Sequence, residues 1–248
     1  MAVVLVTGPA GTLGSALVPR LVAGGHQVRV LVHHRPAGFP PTVQVVQGDV
    51  RSPADLREAI AGADAVIHAA TSPFRRAKTT ELEGTRATLA AAESAGAHFI
   101  YPSIVGADRL GGTYYRAKWQ AEQIVESARH WTIQRATQLH PTLNRMLSRR
   151  LFPVTPHLAF QPLDAGELAE HMIGHIEAGP AHRAEDLGGP EVLALRDLVA
   201  ARRAATNRRT TLIPVPAVGP LRGLDAGCHL CPGHARGHLT WQQWLQGT

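Results

Sequence analysis

Lysine is nearly absent from this chain. Lys78 and Lys118 are its only two lysines, so 23 of the 25 basic residues are arginine. Cysteine is as scarce, and two in 248 residues exclude a disulfide scaffold. Aromatic residues make up only 5%, and no nucleic-acid-binding motif is present. No apolar run approaches the roughly 20 residues of a membrane span. The apolar stretch 2–6 is too short for a signal segment and lacks a basic flank. The first 48 residues contain no acid at all. What is present, 44% apolar and 18% charged residues, is too apolar and too sparsely charged for a disordered protein. A cytoplasmic protein is expected, able at this length to bury roughly 70–75% of its unfolded surface.

The formal charge of +6 is uneven. Residues 135–163 contain no acid and 198–248 carry six basic residues against one acid, whereas 164–197 carry eight acids against two basic residues. Arginine pairs stand at 149–150, 202–203 and 208–209. Without aromatics among them, a solvated surface is the expectation. Neither a nucleic-acid nor a membrane partner is expected, and a monomer or homodimer acting on a small molecule is.

Short β-rich runs alternate with helical patterns through residue 136. Strands are expected at 2–7, 27–32, 43–47, 64–69, 98–102 and 131–136, as near-continuous apolar runs suited to burial on both faces. Helices are expected at 12–24, 53–61, 79–95 and 113–129. Ser52-Pro53 with Asp55 reads as a helix start, and Gly24-Gly25 and Gly96 as stops. Such alternation means α/β architecture, a Rossmann-type doubly wound parallel sheet. Beyond it elements shorten. Asp164 with Glu167 resembles a capping box opening a helix over 165–177. Another helix is expected over 195–205, a strand at 210–213 and a final turn from Thr240. The expected organisation is a dinucleotide-binding part, 1–136, and a small C-terminal substrate lobe, 137–248, packed on it as one structural unit.

The first strand runs into Gly8-Pro9-Ala10-Gly11-Thr12-Leu13-Gly14 and then directly into a helix. This is the context of a phosphate-binding turn. Gly8 permits the turn, Gly11 lets the backbone approach a pyrophosphate, and Gly14 lets the helix pack closely on the sheet. The helix start then offers free N–H groups to the anion.

The TGxxGxxG spacing resembles the extended and atypical short-chain dehydrogenases/reductases. Further likenesses are Gly48-Asp49-Val50, Ala69-Ala70-Thr71 and Glu83-Gly84-Thr85. Ser103-Ile104-Val105-Gly106, Trp131-Thr132-Ile133 and Phe160-Gln161-Pro162-Leu163-Asp164 are most similar to the NmrA-like group, which includes NAD(P)H-dependent quinone reductases and non-catalytic redox sensors. The resemblance implies that Asp49 and Val50 contact adenine and that Ala69, Ala70 and Thr71 form the nicotinamide-side turn.

An NAD enzyme usually places an acid at the end of the second strand. Here the strand ends in Val32-His33-His34-Arg35. Arg35, aided by His33 and His34, would meet a 2′-phosphate, so NADP(H) is expected over NAD(H).

Ser103 follows the fifth strand, at the sheet edge where such folds bind ligands. Tyr114 and Lys118 stand four apart and share a helix face, in YxxxK spacing. Carbonyl reduction needs a hydride on carbon and a proton on oxygen. A nearby ammonium lowers a phenol's pKa from about 10 towards use at neutral pH. The resemblance adds that Lys118 holds the nicotinamide ribose and Ser103 the substrate oxygen. Tyr115 is the alternative to Tyr114. Two departures from the family stand out. Its asparagine after the fourth strand is not evident, and the gap from Ser103 to Tyr114 is short. Quinone reductases of the NmrA-like type transfer hydride without a tyrosine acid. Gln138, Leu139 and His140, with His157 and Phe160, are expected to line the substrate pocket. Cys228-His229-Leu230-Cys231 with His234 and His238 lacks the ligand spacing of a zinc site, and no metal is expected.

Overall fold

The computed structural model describes residues 1–33, 38–71 and 79–247. His34 and Arg35 therefore lie outside the described residues. The leading apolar runs form β1 (Val3–Thr7), β2 (Gln27–Val32), β3 (Gln44–Gln47), β4 (Ala65–His68), β5 (His98–Ile104) and β6 (Trp131–Ala136). With β9 (His182–Arg183) they make a seven-stranded parallel sheet in the order β3-β2-β1-β4-β5-β6-β9. The order reverses between β1 and β4. Open α/β sheets bind ligands outside the carboxyl ends of the strands at such a switch point.

The helices connecting these strands are α1 (Gly14–Ala23), α2 (Pro53–Ile60), α3 (Thr85–Ala95) and α4 (Thr113–Val125). Ser52 caps α2 as expected, accepting from the Asp55 amide with Pro53 in the first turn. Gly96 ends α3 in the left-handed region at φ 68°. The expected helix at 79–95 is divided, since 79–84 form a wider π-type turn before α3 begins.

The chain divides into two compact units of three segments each. Met1–Ser103, Ala117–Gln134 and Leu168–Ala184 form the first; Ile104–Arg116, Arg135–Glu167 and Glu185–Thr248 form the second. The first holds most of the sheet around a core of Leu5, Val66, Leu89, Phe99, Tyr101 and Ile133. The second has its own core of Leu143, Phe152, Phe160, Leu198 and Trp241. It is built on α5 (His140–Leu147), α7 (Leu195–Thr206) and α9 (Trp241–Gln246). Two small sheets complete it. β8 (Ala159–Phe160) pairs antiparallel with β10 (Leu193–Ala194), and β7 (Leu151–Val154) pairs in parallel with β11 (Thr211–Pro214).

The expected caps of the last third are observed in part. Thr240 and Gln243 form a full reciprocal capping box. Asp164 accepts from the Gly166 and Glu167 amides at the start of α6 (Ala165–Ala178). Glu167 does not reciprocate. Its Oε1 accepts instead from the backbone of His238 and Leu239, fastening the segment before α9. Among the described residues, no helix is long and apolar enough to cross a membrane.

Candidate dinucleotide and redox site

The turn after β1 leaves no room for a side chain at Gly8 or Gly14. Gly8 has φ 65°, and a Cβ there would stand 2.7 Å from the backbone of Ala69 and Ala70. A Cβ on Gly14 would stand 2.2 Å from the Gly8 carbonyl. Gly8 thus lets the β1 and β4 turns touch, and Gly14 lets α1 begin directly above the strand. No side chain caps α1, and its first turn carries no acid. The Ser15 and Ala16 amides donate to the Gly11 and Leu13 carbonyls, and the positive end of the helix dipole, with no side chain over it, suits a pyrophosphate. Thr12 is half-buried and Leu13 buried within this turn.

The β1 and β4 turns are also joined by side chains. Thr7 and His68 pair across the two strands, with Thr7 Oγ1 2.9 Å from His68 Nδ1. The same hydroxyl accepts from the Ala70 amide at 3.2 Å. A hydroxyl has one donor and two acceptor sites, so it can serve the Ala70 amide and either tautomer of His68. Ala69 and Ala70 are half-buried, while Thr71 reaches the surface.

Asp49 follows β3 and is held by Arg51, whose Nε lies 3.0 Å from Oδ1. That hydrogen bond, against some burial, lowers its pKa to about 2, with a smaller contribution from the His33 charge. The Asp49 amide donates to Asp55 at 2.9 Å, which fixes the turn. Val50 is half-buried against the first core.

The most charged part of the interior lies beyond the carboxyl ends of β4 and β5. Lys118 is buried, and its ammonium has three partners. They are Tyr101 Oη at 3.0 Å, the Pro102 carbonyl at 2.8 Å and Glu81 Oε2 at 3.3 Å. An ammonium has three N–H donors, so this set accounts for all of them. Glu81 is fully buried and also accepts from Tyr101 Oη at 2.9 Å and from Thr71 Oγ1. Burial, the largest influence, would raise the Glu81 pKa, but the Lys118 charge together with the Thr71 and Tyr101 hydrogen bonds outweighs it and holds the carboxyl below its usual range. Burial would lower the Lys118 pKa, and Glu81 with Tyr101 turns the shift upward. Burial drives the Tyr101 phenol far upward, which keeps it neutral. The cluster is therefore a closed ion pair bridged by a tyrosine.

Ser103 sits two residues beyond Tyr101, is buried, and donates to Glu122 Oε1. Glu122 Oε2 accepts from Arg183 at 3.1 Å. Tyr114 and Tyr115 open α4 with rings 5.7 Å apart, and burial raises the Tyr115 phenol. In the second unit, Gln138 accepts the Leu163 amide on its carbonyl. Phe160, expected in a pocket lining, is a core residue with its ring edge-on to His229 at 5.2 Å. His140 is fully buried, with Trp241 and Trp244 rings at 5.8 and 5.5 Å, and burial lowers its pKa to about 4 against the Asp164 charge and the Pro162 backbone. Cys228 and Cys231 are free thiols, and burial pushes Cys231 up to about 12.

Sequence reasoning missed Glu81, Tyr101 and His68. Glu81 carried a usable signal. Positions 81, 85, 88 and 92 fall at helical spacing on the buried stripe that leads into α3. An acid on such a stripe demands a buried cation.

A sequence family described as NAD(P)H-binding matches residues 8–145, more than half of the chain. This chain belongs to that NAD(P)H-binding family. Its fold is that of the Rossmann-type short-chain dehydrogenases/reductases. The NAD(P)H-binding chain is 36% identical over 136 residues to a ceramide reductase of Caulobacter vibrioides, covering 51% of this chain and 42% of that protein. It spans less than half the length of the curated relatives it matches, down to 8% of a Mycobacterium tuberculosis protein. Among solved structures, it resembles a short-chain dehydrogenase/reductase superfamily protein of Agrobacterium tumefaciens with bound NAD. That likeness has a TM-score of 0.76 at 20% identity and covers 99% of this chain and 95% of the other. The Thermus thermophilus UDP-glucose 4-epimerase complex with NAD gives 0.74 at 19% identity, covering 98% and 96%. At these identities the structural likeness concerns the fold alone.

Proposed function

We propose that this protein is an NADPH-dependent reductase of a small carbonyl or quinone-type acceptor. The observation that carries the reading is the turn at the β1/β4 switch point, where neither Gly8 nor Gly14 has room for a side chain and no side chain caps α1. A bound dihydronicotinamide supplies the hydride. The protein's own part is to hold the pyrophosphate on the α1 amides and to fix the β4 turn through Thr7 and His68.

The Lys118 cluster favours the quinone-type end of this range. An isolated ketone becomes an alkoxide unless a donor protonates it, which calls for a tyrosine tuned by a free ammonium. The Lys118 donors are committed to Glu81, Tyr101 and Pro102. A quinone delocalises the charge it gains and takes its proton from water. NADPH oxidation should therefore be seen with quinones, and Tyr114→Phe should retain it within about threefold. Reduction of ketones or aldehydes with a loss of about 100-fold or more in Tyr114→Phe would instead assign the proton transfer to Tyr114.

The same saturation of Lys118 and Ser103 favours one alternative, an NADP(H)-binding redox sensor of the NmrA-like type. Tight NADPH binding with no turnover on any quinone, ketone or aldehyde would establish it.

The preference for NADPH rests on Arg35, with His33 and His34 beside it. Arg35→Ala should weaken NADPH at least about tenfold, near 1.4 kcal/mol, and leave NADH nearly unchanged. Equal losses for both, measured by fluorescence titration, would remove the assignment.

A further inference from the structure

The second unit gathers arginines that composition alone left scattered. β7 and β11 pair in parallel, with Leu151 opposite Thr211 and Pro153 opposite Ile213. Arg149-Arg150 immediately precede β7, and Arg208-Arg209 nearly abut β11. The ladder extends one step further back, since the Thr211 amide donates to the Arg150 carbonyl at 2.9 Å. In-register pairing therefore sets the two arginine pairs side by side at one end of the sheet. All four residues are exposed, and no ion pair to any of them is recorded among the described residues. Arg203, also exposed, stands in the last turn of α7 beside them. The flanking stretches 135–163 and 198–224 contain no acid to offset this charge.

The sheet itself has two unlike faces. Phe152 and Leu212 pack on the second core. Leu151 and Ile213 lie on the other face with Pro153 and Thr211, and are 55% and 41% exposed. Arginine at one end and aliphatic side chains along the exposed face form one continuous amphipathic surface.

We infer that the outer face of the β7–β11 sheet is a docking surface for an anionic lipid membrane. Two other occupants fit less well. A second copy meeting this face about a two-fold axis would bring arginine against arginine. A nucleic acid is gripped by aromatics between the cations, and this face offers only Leu151, Pro153 and Ile213. Aliphatic side chains that enter the headgroup boundary, flanked by arginines that pair with lipid phosphates, match a negatively charged bilayer surface.

The test is co-sedimentation of the full chain with vesicles. Phosphatidylcholine vesicles containing phosphatidylglycerol should bring the protein down, and phosphatidylcholine alone should not. Arg149→Gln with Arg209→Gln should weaken binding roughly 30-fold, at about fivefold for each arginine. Leu151→Ser with Ile213→Ser, at unchanged charge, should weaken it further, whereas Arg57→Gln with Arg129→Gln should not. All three pairs alter exposed residues, and retained circular dichroism would show that they fold. No pelleting with anionic vesicles would overturn the inference. So would equal losses from the Arg57 and Arg129 pair, indifference to the Leu151 and Ile213 pair, tighter binding to duplex DNA or RNA, or a dimer lost with the same substitutions.

Discussion

Lys118→Met should lower the stability of the protein by about 3–5 kcal/mol, a large share of the roughly 5–15 kcal/mol that holds a domain folded. The loss comes from what the substitution leaves behind. Glu81 is fully buried, and its carboxylate keeps its charge because Lys118 stands 3.3 Å away. Without the ammonium only Thr71 and Tyr101 donate to it. Burial, the largest influence on Glu81, then outweighs the remaining Thr71 and Tyr101 hydrogen bonds and raises its pKa above the unfolded value. A group whose folded pKa is raised destabilises most where the unfolded chain is ionised. The loss in Lys118→Met should therefore be greater at pH 8 than at pH 5. Glu81→Gln with Lys118→Met removes both charges while an amide remains to accept from Tyr101. It should recover at least about 2 kcal/mol relative to Lys118→Met alone, by urea unfolding. Additive losses would mean that the two residues do not form one ionic unit. The double variant should also bind NADPH within a factor of about three of the wild type, under 1 kcal/mol. Abolished binding in a folded double variant would mean that Lys118 also holds the dinucleotide.

Much of the first unit was legible in the sequence, for a physical reason. Strands buried on both faces read as apolar runs, and the turns between them need glycine or a capping residue. Gly8, Gly14, Ser52 and Gly96 are local signals with local causes. Side-chain direction at the end of a strand has no such signal. Ser103 and Tyr101 lie on one face of β5 and turn to Glu122, Glu81 and Lys118. Reading Ser103 as a substrate-orienting hydroxyl depended on a direction that strand position alone does not give. The YxxxK spacing likewise identifies a shared helix face without revealing that a buried acid has already claimed the lysine. The pairing of β7 with β11 joins two four-residue strands about 60 residues apart, in parallel. Parallel pairing has no hairpin turn to announce it, so the arginine pairs appeared independent until the register brought them together.

Acidification should weaken the fold well before its carboxylates are protonated. Burial lowers His68, His98 and His140 to about 4 each, from 6.5. Nearby charges modify this without reversing it. Glu81 opposes and Lys118 reinforces the shift at His68, His175 and His130 reinforce it at His98, and Asp164 opposes it at His140. Between these values and 6.5 the unfolded chain binds protons that the folded chain refuses. The stabilisation is complete above pH 6.5, declines as pH falls, and levels off below about 4. At 1.36 kcal/mol for each pH unit, a shift of this size is on the order of a few kcal/mol for each histidine. Asp49, lowered to about 2, comes into play only at more acid pH. His140 permits a clear check, because burial outweighs both the Asp164 charge and the Pro162 backbone at its ring, and its neighbours include the Trp241 and Trp244 rings. His140→Phe should leave stability at pH 8 within about 1 kcal/mol of the wild type. It should be the more stable protein at pH 5 by about 1–2 kcal/mol, with a correspondingly shallower pH slope. An unchanged slope in the variant would show that His140 already carries a proton, or a path to water, in the folded state.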